Sequence, residues 1–163
     1  MVLQFLVGGG VSVINIMIHA LITLTTIGVA RQAGLKSTSR PRLHLMTVMA
    51  VTVLMLMIAH TVEIFVWSLA YAAVGAAPAD SDLLDFAFVN YTTLGYGDVT
   101  PLKEWRLIGP MTAMNGILMF GWSTAVLFEV LRKTIDYLAW IPRAEMPLSS
   151  ADRGQQAAVG PRE

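Results

Sequence analysis

The chain has 163 residues, 55% of them hydrophobic and only 13% charged, with eleven basic and eleven acidic side chains. That length fits one domain, and that composition, with a mean hydropathy of +0.62, is too apolar for an ordinary soluble one. Zero net charge without a basic block argues against nucleic acid as a partner, and the absence of cysteine removes disulfides, thiolate metal sites and cysteine nucleophiles together.

In chain order, the first element is an apolar stretch from Leu3 to Ala30, interrupted by Gln4, Asn15 and His19. It exceeds the roughly 20 residues that a helix needs to cross the hydrocarbon core, and inside lipid only a helix satisfies its own backbone. No basic segment precedes it and its apolar run is too long for a secretory signal, so it is expected to remain in the mature protein. The next connection, Arg31 to Arg42, holds Arg31, Lys36, Arg40 and Arg42 without an acid, which places it on the cytoplasmic side. A second spanning stretch runs from Leu43 to about Ala77 with His60 and Glu63 inside it.

The segment from Gly75 to Arg106 is then external, and it carries Asp80, Asp82, Asp85, Asp98 and Glu104 against Lys103 and Arg106. A net negative mouth concentrates cations. Within it, Pro78 and the Asp80-Ser81-Asp82 cluster predict a turn and an N-cap, and Leu83 to Val89 a short apolar helix of too few residues to cross. Such a helix at membrane depth, leading into a glycine-rich stretch, reads as a re-entrant loop. The third spanning stretch runs from Leu107 to Leu131 around Asn115 and Glu129. Arg132 and Lys133 put the C-terminal segment in the cytoplasm and the N-terminus outside. Ile135 to Ile141 is expected to extend the third helix along the inner interface, and the composition from Pro142 onward is that of a disordered tail.

The stretch Thr92-Thr93-Leu94-Gly95-Tyr96-Gly97-Asp98 carries the functional signal. It resembles the selectivity filter of the potassium channel superfamily, four T-V-G-Y-G loops around one pore, with Leu94 where valine is commonest. The resemblance implies a filter of Thr93, Leu94, Gly95, Tyr96 and Gly97 in which the carbonyls of Thr93, Leu94, Gly95 and Tyr96 replace the hydration shell of K⁺, while Thr92 and Asp98 support the loop. Tyr96 is expected to point away from the axis and pack on surrounding helices, and Asp98 to be braced by hydrogen bonds. Gly95 and Gly97 alternate with larger residues because the backbone angles required are ones a Cβ resists. One strand cannot encircle an ion, so the resemblance implies a homotetramer.

The likeness extends over outer helix, pore helix, filter and inner helix. It divides the chain into an additional N-terminal helix and basic loop (1–42), a pore domain (43–131) and a short cytoplasmic tail (132–163). Gly116 is a candidate hinge of the inner helix, with close helix packing as the rival reading. Ala113, Ile117, Phe120, Thr124 and Phe128 share one helical face and are candidates to line the cavity, with Phe128 as a hydrophobic gate. His60 and Glu63, three apart, are either a proton sensor or a helix-packing pair that reaches Asn15 or His19 on the first helix. The first helix lacks the repeated arginines of a voltage sensor.

These observations predict an all-α membrane protein with three spanning helices, a re-entrant pore helix and a filter loop. It would lie in the cell membrane as a tetramer among lipids, conduct K⁺ passively, and need no cofactor besides the K⁺ it conducts. It is not expected to be an enzyme. A weakly selective cation channel and a non-conducting regulatory subunit remain alternatives of the same fold. A metal or haem protein using His19, His60 and Glu63 is a further one, although the sequence holds no ligand spacing such as H-E-x-x-H.

Overall fold

The computed structural model describes residues 1–34 and 40–144. Four helices account for most of them: α1 (Val2–Gly34), α2 (Pro41–Val74), α3 (Leu83–Tyr91) and α4 (Ile108–Ala144), with a single 3₁₀ turn at Lys103–Trp105. Among the described residues there is no strand. Three of the helices are long and apolar enough to cross a membrane; the first predicted span lies within α1, the second overshoots the end of α2 at Val74, and the third starts one residue before α4. The fold is therefore that of an all-α, multi-pass membrane protein.

Local signals set the helix ends. Pro41 opens α2, where a missing N–H costs nothing. At its other end Gly75 takes a left-handed conformation, φ 61° and ψ 49°, and the Ala76 N–H reaches back to the Tyr71 carbonyl at 3.0 Å. Asp82 caps α3 by accepting hydrogen bonds from the backbone of Leu84 at 3.0 Å and Asp85 at 3.1 Å, as the acidic cluster predicts. One expectation needs correction: order does not stop at Pro142, because α4 continues through it to Ala144. A proline inside a helix forfeits one backbone hydrogen bond, which the rest of a long helix can outweigh. Lys36 and the tail from residue 145 lie outside the described residues.

α1 packs against both α2 and α4, and α3 is wedged between α2 and α4. Around α3 the core gathers Ile64, Trp67, Tyr71, Phe86, Tyr91, Ile108 and Met119; at the far end of the bundle a smaller cluster joins Val48, Leu56, Val126 and Val130. Large side chains such as Leu21, Leu24, Leu54 and Leu69 face outward, as lipid contact demands. Lipid is as apolar as leucine, so little hydrophobic force draws such helices together, and close contact and hydrogen bonds must hold them. Both are present. A Cβ on Gly8 would lie 2.6 Å from the Met111 side chain, and the Gln4 side chain accepts a hydrogen bond from the Leu107 N–H at 2.9 Å, which fixes the start of α1 beside the start of α4.

Candidate functional site

Two groups of residues meet at the C-terminal end of α3. The first is the loop that leaves it. α3 closes with Thr92 N–H on the Phe88 carbonyl, and Leu94 N–H reaches the Val89 carbonyl at 2.9 Å, so the chain turns sharply out of the helix. The backbone then changes hand at every second residue: φ is 61° at Thr93, 68° at Gly95 and 83° at Gly97, while Leu94 and Tyr96 keep the ordinary negative sign. A β-branched threonine in the left-handed region is an outlier that marks strain maintained for a purpose. Thr92 is tied to α3 by its hydroxyl, which donates to the Phe88 carbonyl at 2.7 Å.

The loop is bare within one chain. Leu94 is 55% exposed and Tyr96 67%, and Asp98 is exposed. Tyr96, Gly97 and Asp98 border a small hollow with Asp85, Phe86 and Val89 of α3. The packing expected for Tyr96 and the bracing expected for Asp98 are thus not supplied by this chain's own helices.

The second group is buried behind the loop. Glu63 of α2 is fully enclosed and bound on both oxygens: Oε1 lies 2.7 Å from His19 Nδ1 of α1, and Oε2 accepts a short hydrogen bond from the Tyr91 hydroxyl at the end of α3. His60 Nδ1 lies 3.0 Å from the Tyr91 oxygen and 3.5 Å from Glu63 Oε2. Its other nitrogen is 3.0 Å from Ser123 Oγ of α4, and that oxygen is 3.3 Å from His19 Nε2. Beside this cluster, Asn15 Nδ2 donates to the Glu63 carbonyl and to Asn115 Oδ1, which also accepts from Trp67 Nε1 at 3.0 Å. Nearer the loop end, Tyr71 and Thr112 hydroxyls meet at 2.6 Å and Asn90 reaches Tyr71. Four helices are thereby joined by polar contacts inside the bundle.

The expected pairing of His60 and Glu63 with His19 and Asn15 is therefore present, as contact between α1 and the rest. His19, His60 and Glu63 also bring one ligand atom each within 4.8 Å of one another, although they come from two helices without a metal-binding spacing. Sequence reasoning misses Tyr91 and Ser123. A signal for Ser123 exists: Thr112, Asn115, Met119, Ser123, Val126 and Val130 recur at three- and four-residue intervals, a partly polar stripe that in a membrane helix must face the bundle interior. For Tyr91 nothing but its place at the end of α3 points inward.

The opposite face of α4 is the one that spacing groups. Ile117, Thr124 and Phe128 are exposed, with no cover from their own chain, and Ala113 is half-buried. Phe120 departs from the group: its ring packs on His60, centroids 4.6 Å apart, and on Tyr91 at 5.6 Å, so it caps the polar cluster as well as lying at the edge of the open face. For Gly116 the structure supplies a reason in packing. A Cβ there would sit 2.0 Å from the Tyr91 carbonyl oxygen, so glycine is what lets α4 touch the end of α3.

In comparison with known families, a family model described as an ion channel matches residues 43–133, more than half of the chain. The match takes in α2, α3, the loop and most of α4, and leaves α1 outside. No curated protein and no solved structure matches the chain.

Proposed function

We propose that this chain, which belongs to the ion-channel family of the potassium-channel pore-domain type, assembles as a homotetramer whose four Thr93–Gly97 loops form one K⁺-selective filter. The observation that carries this reading is the alternation of backbone hand at Thr93, Gly95 and Gly97. In a strand of uniform hand successive carbonyls point to opposite sides. Residues of alternating hand turn them to the same side, which is what a column of oxygens replacing a hydration shell requires.

Three further features support it. The loop hangs from the C-terminal end of α3, where the helix dipole is negative and favours a cation. Its residues are exposed in one chain, as they must be if they face copies of themselves. Ile117, Thr124 and Phe128 lie on the uncovered face of α4, where a central cavity and a hydrophobic constriction would be lined. In the cell membrane, the basic residues Arg31, Arg40, Arg42, Arg132 and Lys133 would hold the far end of the bundle in the cytoplasm, with the N-terminus and the loop outside. The protein conducts passively and catalyses nothing. Gly116 serves the filter by holding α4 against the end of α3.

The test is K⁺ uptake by liposomes carrying the purified protein, with Na⁺ as competitor and barium as blocker. Uptake that prefers K⁺ and stops with barium is the expected result. Equal passage of Na⁺ would reduce the reading to a weakly selective cation channel. A tetramer that passes neither ion at any voltage would make it a non-conducting subunit.

A further inference from the structure

We propose that Glu63, His19, Ser123, His60 and Tyr91 form a closed proton-binding ring, holding one exchangeable proton shared between the two histidines, and that its closure couples α1 to the loop-bearing end of α3. Five contacts run in a circle: Glu63 to His19, His19 to Ser123, Ser123 to His60, His60 to Tyr91, and Tyr91 back to Glu63. Each contact needs one proton between its two heavy atoms.

Counting the protons fixes the charge state. Ser123 and Tyr91 each supply one, a neutral histidine supplies one, and a carboxylate supplies none. An ionised Glu63 with two neutral histidines therefore leaves one of the five contacts without a proton. One more proton fills them all. Because Tyr91 donates to Glu63, His60 Nδ1 must donate to the Tyr91 oxygen, and with Glu63 ionised His19 Nδ1 donates to the other carboxylate oxygen. Ser123 then donates to one histidine Nε2 and accepts from the other, which is the imidazolium. The charge passes between them when His19 Nε2 gives its proton to the Ser123 oxygen while Ser123 gives its own to His60 Nε2. No other bond changes, and the ring stays neutral. A sixth proton would force two donors into one contact, so the ring closes in a single protonation state.

The surroundings suit such a site. Each ring member is buried, Phe120 covers His60, and Trp122 lies edge-on to His19 with centroids 5.6 Å apart. The titratable groups facing it are its own: His19 from α1, His60 and Glu63 from α2, Tyr91 from α3, while α4 contributes Ser123. A metal ion fits less well. His19 Nδ1 and Glu63 Oε1 stand at hydrogen-bond distance, 2.7 Å, against about 3.3 Å between neighbouring ligands of a tetrahedral ion. Nor is any ring nitrogen or carboxylate oxygen left without a partner. Through the Glu63 carboxylate the ring also links α1, which lies outside the family match, to α3, the helix that carries the loop.

Histidine NMR of the full chain, labelled at the ring nitrogens, reads the site without conduction; His44→Gln removes the signal of the third histidine. Across a pH series, His19 and His60 should share one doubly protonated ring, and its extra proton should be lost in a single one-proton step. Ser123→Ala, which deletes the bridge, should confine the charge to one histidine and move the step by about one pH unit, the worth of one hydrogen bond. The coupling rests on the channel reading, and K⁺ flux is expected to fall at the same pH as the NMR step, in the wild type and in Ser123→Ala alike. Two singly protonated histidines throughout, or one equivalent of a transition metal retained by the purified protein and lost in His60→Gln, would overturn the ring. K⁺-selective flux that is flat across the NMR step would overturn the coupling. The NMR step without flux of any ion would uphold the proton site and overturn the channel reading together with the coupling.

Discussion

The two sides of the α3 C-terminus contrast sharply. Behind it, every polar atom of the Glu63 ring is matched by a partner from the same chain, and the contacts tie α1, α2, α3 and α4 together. In front of it, the Thr92–Asp98 stretch has a specified backbone and almost no cover. On the proposed tetramer, the difference separates what one subunit builds alone from what assembly would complete. A single chain sets the position and angle of the loop and leaves its side chains exposed. Mutations behind α3 should therefore act first on stability, and mutations in front of it on ion preference.

The largest effect is expected from Glu63→Ala, which strands His19 and Tyr91 as buried groups without a partner and should cost about 3–5 kcal/mol, read as a fall in thermal unfolding temperature in detergent. An unchanged midpoint would show that the two sides are less distinct than the contrast claims. Gly116→Ala comes next. Its Cβ would meet the Tyr91 carbonyl at 2.0 Å, so α3 must shift, with a loss of about 1–3 kcal/mol and a disturbed filter. It is the one substitution expected to move both readouts together.

Gly97→Ala sharpens the comparison from the other side. At φ 83° an alanine is strained by about 1–2 kcal/mol, so the fold should survive while the preference for K⁺ over Na⁺ disappears in liposome flux. Gln4→Ala removes the acceptor for the Leu107 N–H and should cost about 1 kcal/mol by the same unfolding assay, with ion preference intact. The smallest stability effect belongs to Phe128→Ala. That ring is 67% exposed, so unfolding should shift by no more than about 0.5 kcal/mol, while resting K⁺ leak rises if Phe128 closes the pore.

How far the sequence reaches obeys the same division. Three apolar stretches and an acidic cap give the helices almost to their ends, because span length and capping are local properties. The Thr92–Asp98 motif is legible because alternating glycines in a fixed pattern encode backbone hand directly. The ring is legible only in part. His60 and Glu63 share a visible helical face, and Asn15 and His19 another, but which faces meet depends on how α1 packs, and nothing in a single helix states that. Tyr91 and Phe120 show the limit most plainly. Their residue types suit ordinary packing, and only the approach of α4 over Gly116 brings both against His60. Pro142 misleads for the opposite reason, since α4 continues through it to the last described residue.

The most direct measurement of the central claim is the reversal potential of the reconstituted wild-type channel in a planar bilayer with K⁺ on one side and Na⁺ on the other. Four Thr93–Gly97 loops forming a selective filter require a potential close to that of a membrane permeable to K⁺ alone, and its collapse toward zero in Gly97→Ala. A wild-type potential near zero with measurable current would contradict the filter assignment.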